Sequence, residues 1–250
     1  MSSRGEGERV LVIVPALNEQ DSVGGVTAAT RALGFDVCVI DDGSTDATST
    51  RAREAGATVL RVPFNLGIGG ALRCGFRWAL ANGYDIVVQL DADGQHDPHE
   101  VSALVETLQT EDADMVIGSR FVEGAGAYEV RRTRRLAMHV LARRAARITR
   151  TYVADSTSGF RAIRRPLLDQ FAASYPVDYM DSFEALIEAG RGGMRIVEHP
   201  VSMSARTHGQ ASAGAAASIW YVARVLLATA LMRNRRRERP PSLPSSHGVN

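Results

Sequence analysis

The chain has 250 residues, of which 45% are hydrophobic and 23% are charged, and its formal net charge is +1. This ordinary globular composition excludes a fibrous or largely disordered protein, and the length suits one large domain or one domain with an appendage. The apolar run Val10–Val14 is too short for a secretory signal. Cys38 and Cys74 lie in apolar contexts, so we expect buried free thiols in a reducing cytosol.

The charges are unevenly distributed along the chain. All 29 basic residues are arginine, and nine of them lie between Arg120 and Arg150 while five lie between Arg233 and Arg239. Such clusters predict an anionic partner, either a membrane surface or phosphate groups. We expect no nucleic-acid partner.

From residue 9 to residue 121, apolar strand-like runs alternate with helical patterns, after a polar N-terminus (residues 1–8) that we expect to be disordered. The predicted strands are Arg9–Pro15, Val37–Ile40, Thr58–Arg61, Ile86–Leu90 and Met115–Gly118. The predicted helices begin near Asp21 or Ser22, after Asp46, near Ala71 and at Asp97, and they end at about Leu33, Ala55, Ala81 and Gln109. This alternation predicts an α/β fold whose mostly parallel central sheet has helices on both faces.

Polar segments follow two of these strands. The string Asp41–Asp46 fits either a helix N-cap or a contact to a ribose or base. The segment Asn65–Gly70 fits either a turn that packs a helix on the sheet or a glycine-rich approach to a ligand at a helix N-terminus. The residues alone leave both alternatives open.

Two carboxylates follow the most apolar strand. Asp91 and Asp93 come directly after Ile86–Leu90, at the carboxyl end of a strand, where open α/β sheets bind ligands. Residues i and i+2 of a strand point to the same side, so the two carboxylates repel each other unless a cation lies between them. Oxygen ligands of this kind suit Mg²⁺ or Mn²⁺, although many Asp-x-Asp pairs are only solvated loops.

The second half of the chain is more basic and less regular. Residues 131–150 form a helical pattern crowded with arginine, which fits a basic amphipathic helix on an anionic bilayer or a solvated helix face. Asp155–Arg164 is predicted to be turn-rich, with Arg161, Arg164 and Arg165 near a possible anion site. A helix over Asp181–Ala189, a strand over Arg195–Pro200 and a polar loop over Met203–Ser212 are predicted to follow.

The C-terminal part contains the most apolar stretch, Ala215–Met232. It has about the length of a membrane crossing, but Arg224 lies in its middle. An interfacial helix or a helix that packs in a homodimer is therefore favoured over a crossing. Residues 240–250 are predicted to be a disordered tail.

Seven motifs together resemble those of the family 2 glycosyltransferases and, within that family, of the polyprenyl-phosphate sugar synthases of the dolichyl-phosphate mannose synthase group. These motifs are Val14–Glu19, Asp41–Asp46, Asn65–Gly67, Asp91–His96, Gly118–Phe121, Thr157–Arg161 and the loop with Arg206, Gly209 and Ser212. The resemblance implies a glycosyltransferase A fold over residues 9–212. From their own composition, residues 213–239 are expected to form an apolar helix and an arginine cluster that is membrane-interfacial or used in oligomerisation.

The resemblance also implies an inverting mechanism with a UDP- or GDP-sugar donor and a Mg or Mn ion. Asp93 and Gln95 would hold the metal, and Asp93 would also be essential for catalysis. The residues that would bind the nucleotide-sugar are Pro15, Ala16, Asn18, Glu19, Asp42, Asn65, Gly67, Asp91 and Ala92.

Three hypotheses differ in the acceptor. The first is transfer of a hexose to a polyprenyl phosphate by a peripheral enzyme on the cytoplasmic face of the cell membrane. By resemblance, the acceptor phosphate would contact Arg120, Arg131 or another of Arg131–Arg135, Ser158 and Arg206, with Arg120 and Arg206 counted as catalytic. The second is transfer to a hydroxyl of a glycan or natural product with Asp181, or else Glu184, as catalytic base. The third is a donor-binding subunit without turnover.

Overall fold

The computed structural model describes residues 7–122, 142, 143, 145–147, 149, 151–176 and 181–203, and for Asp181 it gives only the place in a helix. The strands are β1 Val10–Ala16, β2 Asp36–Asp41, β3 Thr58–Arg61, β4 Ile86–Gln89, β5 Met115–Ser119, β6 Arg161–Arg164 and β7 Ile196–Pro200. The helices that we number are α1 Val23–Ala32, α2 Thr48–Glu54, α3 Ile68–Ala81, α4 Glu100–Thr110, α5 Leu167–Ala173 and α6 Asp181–Arg191.

The seven strands form one sheet in the order β3-β2-β1-β4-β6-β5-β7. β1 pairs in parallel with β2 and β4, β2 with β3, and β5 with β7. β6 runs antiparallel to both of its neighbours, β4 and β5. These pairings confirm the predicted α/β fold with a mostly parallel sheet. Its buried strands are aliphatic runs, as such sheets require.

β6 corrects the end of the predicted turn-rich segment Asp155–Arg164, whose first residues do lie in turns. Its four residues pair with all of β4 on one side, and its first three pair with Met115–Ile117 of β5 on the other. Arg161 and Arg164, at its two ends, are both buried. A four-residue strand with charged residues at both ends cannot be recognised from the hydrophobic pattern of the sequence. Only its pairing with a strand on each side shows that it belongs to the sheet.

Helices cover both faces of the sheet. On one face, α1, α2 and α4 enclose an aliphatic core that includes Val12, Val88 and Leu104. On the other face, α3 meets α5 through the rings of Phe76 and Phe171, whose centroids are 5.9 Å apart. The missing side chain at Gly75 lets α3 lie close to the sheet, because an ideal Cβ there would be 2.9 Å from Cδ1 of Ile40.

The predicted element boundaries agree with the structure to within about three residues, with two informative differences. α3 begins at Ile68, earlier than the predicted Ala71, so the glycine-rich segment forms its first turn. Ser22 lies at the N-cap of α1 but makes no side-chain capping bond, and its hydroxyl instead donates to Oε2 of Glu19 at 3.0 Å. α5 was not predicted at all.

Several predictions fall partly or wholly outside the described residues. Of the predicted basic helix 131–150, residues 142, 143, 145–147 and 149 are described and are helical. The described residues all belong to one compact unit that extends to Ser212, and a second unit begins at Ala213. The domain limits and the roles of 213–239 and 240–250 remain predictions. Among the described helices, none has the length and apolarity that a membrane crossing needs.

Gly118 in β5 offers a test of how tightly this core is packed. An ideal Cβ on Gly118 would be 2.9 Å from Cδ1 of Phe160 and 3.1 Å from Cγ1 of Val201, both of which are buried. We expect Gly118→Ala to lower the free energy of unfolding, measured in urea, by about 1–3 kcal/mol because of overpacking. The matched control is Gly25→Ala on the exposed side of α1, where no heavy atom lies within 4 Å, and it should stabilise the protein by about 0.5–1 kcal/mol. Wild-type stability of Gly118→Ala would contradict the packing described.

Candidate active site

The carboxyl ends of β2, β1 and β4 bring the acidic motifs together at one edge of the sheet. Ala16 at the end of β1 lies beside Asp41, and the Ala16 carbonyl accepts the N–H of Asp42 at 2.9 Å. Ile13 lies beside Gln89 on the other side of β1, and Asp91 follows two residues later. The predicted meeting of Asp42, Asp91 and Asp93 at one edge therefore has its basis in the register of three adjacent strands.

The loops that follow β1 and β2 are joined by side-chain to backbone hydrogen bonds. The N–H of Asn18 donates to Oγ of Ser44 at 2.9 Å, and the N–H of Thr45 donates to Oδ1 of Asn18 at 2.9 Å. The N–H of Glu19 donates to Oγ1 of Thr48 at 2.9 Å. Asn18 has a left-handed backbone with φ +54°, a conformation that Asn tolerates better than most residues. Asn18, predicted to bind the nucleotide-sugar, thus uses its side chain to fix the loop that bears Asp42.

Asp41 and Asp42 are adjacent and buried, yet their pKa values move in opposite directions. Burial alone raises the pKa of Asp41, but hydrogen bonds from Ser44 and Ser49 and the charge of Arg61 outweigh it and lower the pKa. For Asp42, burial and repulsion from Asp41 prevail over its hydrogen bonds from the loop before α3, and the pKa is raised. Asp41 therefore has its hydrogen-bonding capacity met by the protein.

Asp42 also shapes the segment that leads into α3. Its Oδ1 accepts the N–H of Leu66 at 2.7 Å, and Oδ1 of Asn65 accepts the N–H of Gly67 at 2.7 Å. Gly67 has φ +78°, which few other residues adopt. Asn65 and Gly67, both predicted to bind the nucleotide-sugar, are thus held at the same rim as Asp42.

The turn after β4 is held by hydrogen bonds and by the stacking of two rings. Oδ1 of the buried Asp93 accepts the N–H of Gln95 at 3.0 Å. Nδ1 of His96 lies 3.5 Å from the backbone nitrogen of Asp91, which donates to it, and the imidazole stacks on Phe160 with ring centroids 4.9 Å apart. The supporting role of His96 has no signal in the sequence beyond its place in the motif.

Asp93 and Gln95 offer carboxylate and amide oxygens, which fit a hard divalent cation. Among the described residues, no group of three or more His, Cys, Asp or Glu side chains is gathered as a metal site. A cation held here would therefore take its remaining ligands from water or from a bound anionic group, as Mg²⁺ commonly does.

Arg120 occupies a buried ion pair. Its Nε donates to Oδ2 of Asp155 at 2.6 Å and its Nη2 donates to Oδ1 at 2.8 Å. Glu198 of β7 holds the same turn by accepting the N–H groups of Ala154 and Asp155 at 2.8 and 2.9 Å. The charge of Arg120 is thus balanced within the protein. A phosphate on Arg120, as the resemblance implies, would have to share it with Asp155.

The other predicted site residues have different surroundings. Pro15, Ala16 and Ala92 are buried, which leaves mainly their backbones for a ligand. Ser158 is buried, and its hydroxyl accepts the N–H of Phe160 at 3.3 Å. Asp181 is the first residue of α6, and Glu184 lies one turn further along the same helix. Arg131 and Arg206 lie outside the described residues.

Comparison with known proteins identifies the family. Residues 11–171 match the model of the glycosyl transferase family 2. The chain belongs to this family. It is 34% identical over 216 residues to the polyprenol monophosphomannose synthase of Mycolicibacterium smegmatis, covering 81% of this chain and 80% of that protein. It is 35% identical over 211 residues to the undecaprenyl-phosphate mannosyltransferase of Micrococcus luteus, covering 81% of this chain and 86% of that protein.

Solved structures with 28–30% sequence identity share the fold. Glucosyl-3-phosphoglycerate synthase from Mycobacterium tuberculosis, in complex with Mg²⁺ and UDP, superposes with a TM-score of 0.66 at 30% identity over 91% of this chain and 79% of that chain. The same enzyme with Mn²⁺, UDP-glucose and phosphoglyceric acid gives a TM-score of 0.64 at 28% identity, covering 91% and 80% of the two chains. The chain is accordingly a nucleotide-sugar-dependent glycosyltransferase, which argues against a donor-binding subunit without turnover.

The joined loops after β1 and β2 can be tested through Asn18. Asn18→Ala removes the oxygen that accepts the Thr45 N–H and places alanine at a positive φ, so we expect the free energy of unfolding to fall by about 1–2 kcal/mol. Asn18→Gly removes the same oxygen but tolerates the backbone, so the glycine variant should lose less. Equal stability of wild type and Asn18→Ala in urea denaturation would show that this contact does not hold the loops.

Proposed function

We propose that the protein is a metal-dependent inverting glycosyltransferase that moves a hexose from a UDP- or GDP-sugar to a polyprenyl phosphate. The observation that carries the proposal is the edge of the sheet at which Asp42, Asp91 and Asp93 meet. Carboxylates gathered at strand ends suit hydroxyl groups and a divalent cation together, which are the features of a nucleoside-diphosphate sugar. Two named relatives with 34% and 35% identity act on polyprenyl phosphates by their names, and this supports the acceptor.

In this proposal, the donor lies along the β2-β1-β4 edge. Pro15, Ala16 and Glu19 contact the base or ribose from the end of β1, and Asp42 and Asp91 complete that contact from the neighbouring strands. Asp93 and Gln95 would hold Mg²⁺ or Mn²⁺. When bound, the ion stabilises the negative charge of the departing nucleoside diphosphate.

The acceptor reaches the sugar from the side opposite to the diphosphate, as inversion requires. A polyprenyl phosphate is already a nucleophile near neutral pH, so this reaction needs positive charge near the acceptor more than it needs a strong base. Because Arg120 is already paired with Asp155, it shapes the acceptor side of the site in this proposal. Arg131 and Arg206 are then the candidates for direct contact with the acceptor phosphate. The arginine clusters also support a peripheral place on the cytoplasmic face of the membrane, where anionic lipids attract them.

The test is a radiolabelled transfer assay with Mn²⁺ or Mg²⁺, in which UDP-glucose, UDP-N-acetylglucosamine and GDP-mannose are paired separately with a polyprenyl phosphate in detergent. We expect label to enter the organic phase with one donor and Asp93→Ala to reduce that rate at least 1000-fold, because the metal and diphosphate lose their carboxylate. The matched control is Asp97→Ala, four residues along, whose carboxylate accepts only local bonds from His99. Its rate should stay within about threefold of wild type. Full activity of Asp93→Ala would refute the metal role.

A hydroxyl acceptor is the second candidate, and the structural similarity to glucosyl-3-phosphoglycerate synthase favours it. Asp181 would then remove the hydroxyl proton as general base. Asp181→Asn should lower kcat at least 100-fold without changing donor affinity if the acceptor is a hydroxyl, and should have little effect on transfer to a polyprenyl phosphate. Asp169→Asn on α5, which removes a surface ion pair with Arg165 at 3.5 Å, is the control for loss of a carboxylate. If Asp181→Asn loses transfer to the polyprenyl phosphate while the control Asp169→Asn keeps it, the first candidate's account of the acceptor is contradicted.

A further inference from the structure

Arg161 is a fully buried cation whose guanidinium is only partly hydrogen-bonded. Its side chain is the largest among the fully buried ones of the described residues. Nε donates to the carbonyl of Ser158 at 2.8 Å, but Nη1 and Nη2 have no acceptor in the part of the chain that the structure describes. An arginine stays charged, and a buried charge without partners is costly. Buried polar groups are nearly always satisfied by protein or by ordered water.

A buried acceptor lies opposite Arg161 in the sheet. Gln89 of β4 is the antiparallel partner of Arg161, so the two side chains share one face of the sheet. Oε1 of Gln89 is buried and has no donor among the described residues. Donors on one strand and an acceptor on the next that make no direct hydrogen bond with each other match the partners that a bridging water needs.

Gln89 of this pair lies close to Asp91. Continued by two residues past its last pair, Gln89 and Arg161, the β4-β6 register would place Asp91 opposite Gly159 on the same face. An ideal Cβ on Gly159 would be 3.3 Å from Nε2 of Gln89 and 3.4 Å from each carboxylate oxygen of Asp91. The missing side chain at Gly159 therefore lets the amide of Gln89 and the carboxylate of Asp91 lie against the same stretch of backbone.

We propose that Arg161 and Gln89 form a buried water site beneath Asp91 that fixes this carboxylate for the donor nucleotide. Arg161 is fully buried and so acts through Asp91 as a positioning residue. The part that concerns the nucleotide rests on the proposed function.

The water site is tested independently of any ligand by a crystal structure of the wild-type protein at about 1.5 Å resolution or better. We expect an ordered water within hydrogen-bond distance of Nη1 or Nη2 of Arg161 and of Oε1 of Gln89. A direct bond between the two side chains, or no water at that place, would overturn the proposal. This result does not depend on whether the protein binds a nucleotide.

The positioning role is tested by calorimetric binding of UDP and GDP with Mn²⁺. We expect Arg161→Met to weaken binding of the nucleotide that the wild type prefers at least tenfold. Arg164→Met is the matched control, since it removes a second buried arginine from the same strand, on the other face and at the end far from Asp91. Arg164 binds Asp112, so its loss should lower the melting temperature but change the Kd less than threefold. Equal weakening in both variants, or wild-type affinity of folded Arg161→Met, would overturn the role.

Gln89→Met supplies a second route if Arg161→Met does not fold. We expect Gln89→Met to weaken nucleotide binding about threefold or more. The double variant should bind as well as the single variant that has the lower affinity, because both changes remove the same water. Effects that multiply in the double variant would overturn the shared site. Failure of the wild type to bind either nucleotide would refute the proposed function and the positioning role together, and the crystal structure would still decide the water site.

Discussion

The crowding of carboxylates at one edge of the sheet is the constraint on which the rest of this structure depends. Parallel pairing of β2, β1 and β4 ends three strands side by side. Asp41 is the last residue of β2, Asp42 follows it, and Asp91 and Asp93 follow β4. These charges repel one another in a partly buried setting. N–H and hydroxyl groups of the loops donate hydrogen bonds to these carboxylates, as Ser44 does to Asp41, and so offset part of the repulsion. The arrangement remains suited to a cation and to ligand hydroxyls.

The antiparallel strand β6 connects the acidic edge of the sheet to the ion pair of Arg120 and Asp155. Because β6 enters the sheet between β4 and β5, the turn before it lies beside Asp91. The same turn contains Asp155, which pairs with Arg120 at the end of β5 and is held by Glu198 of β7. Under the proposed function, the donor and acceptor sides of the site would thereby be fixed to one sheet, which favours precise placement of two substrates.

The relatives differ in the acceptors that their names and structures indicate. Two are named for polyprenyl phosphates, and solved structures of the third contain UDP with Mg²⁺ or Mn²⁺ and, in several complexes, phosphoglyceric acid. A shared sheet edge with different acceptors fits a site in which the strand ends hold the donor and the later segments select the acceptor. The sequence motifs Asp41–Asp46 and Asp91–His96 belong to the first part, and Arg120, Arg131, Asp181 and Arg206 belong to the second under our proposal.

The sequence by itself determined the strand-helix alternation and the place of Asp42, Asp91 and Asp93 at strand ends, because hydrophobic periodicity and strand polarity are local properties. It could not reveal β6, since Arg161 and Arg164 are polar and their burial depends on pairing with β4 and β5. It also could not show that Asn18 holds Thr45 or that Asp155 pairs with Arg120, residues 27 and 35 positions apart. Only the tertiary structure decided these contacts, because partners distant in sequence meet only once the sheet has formed.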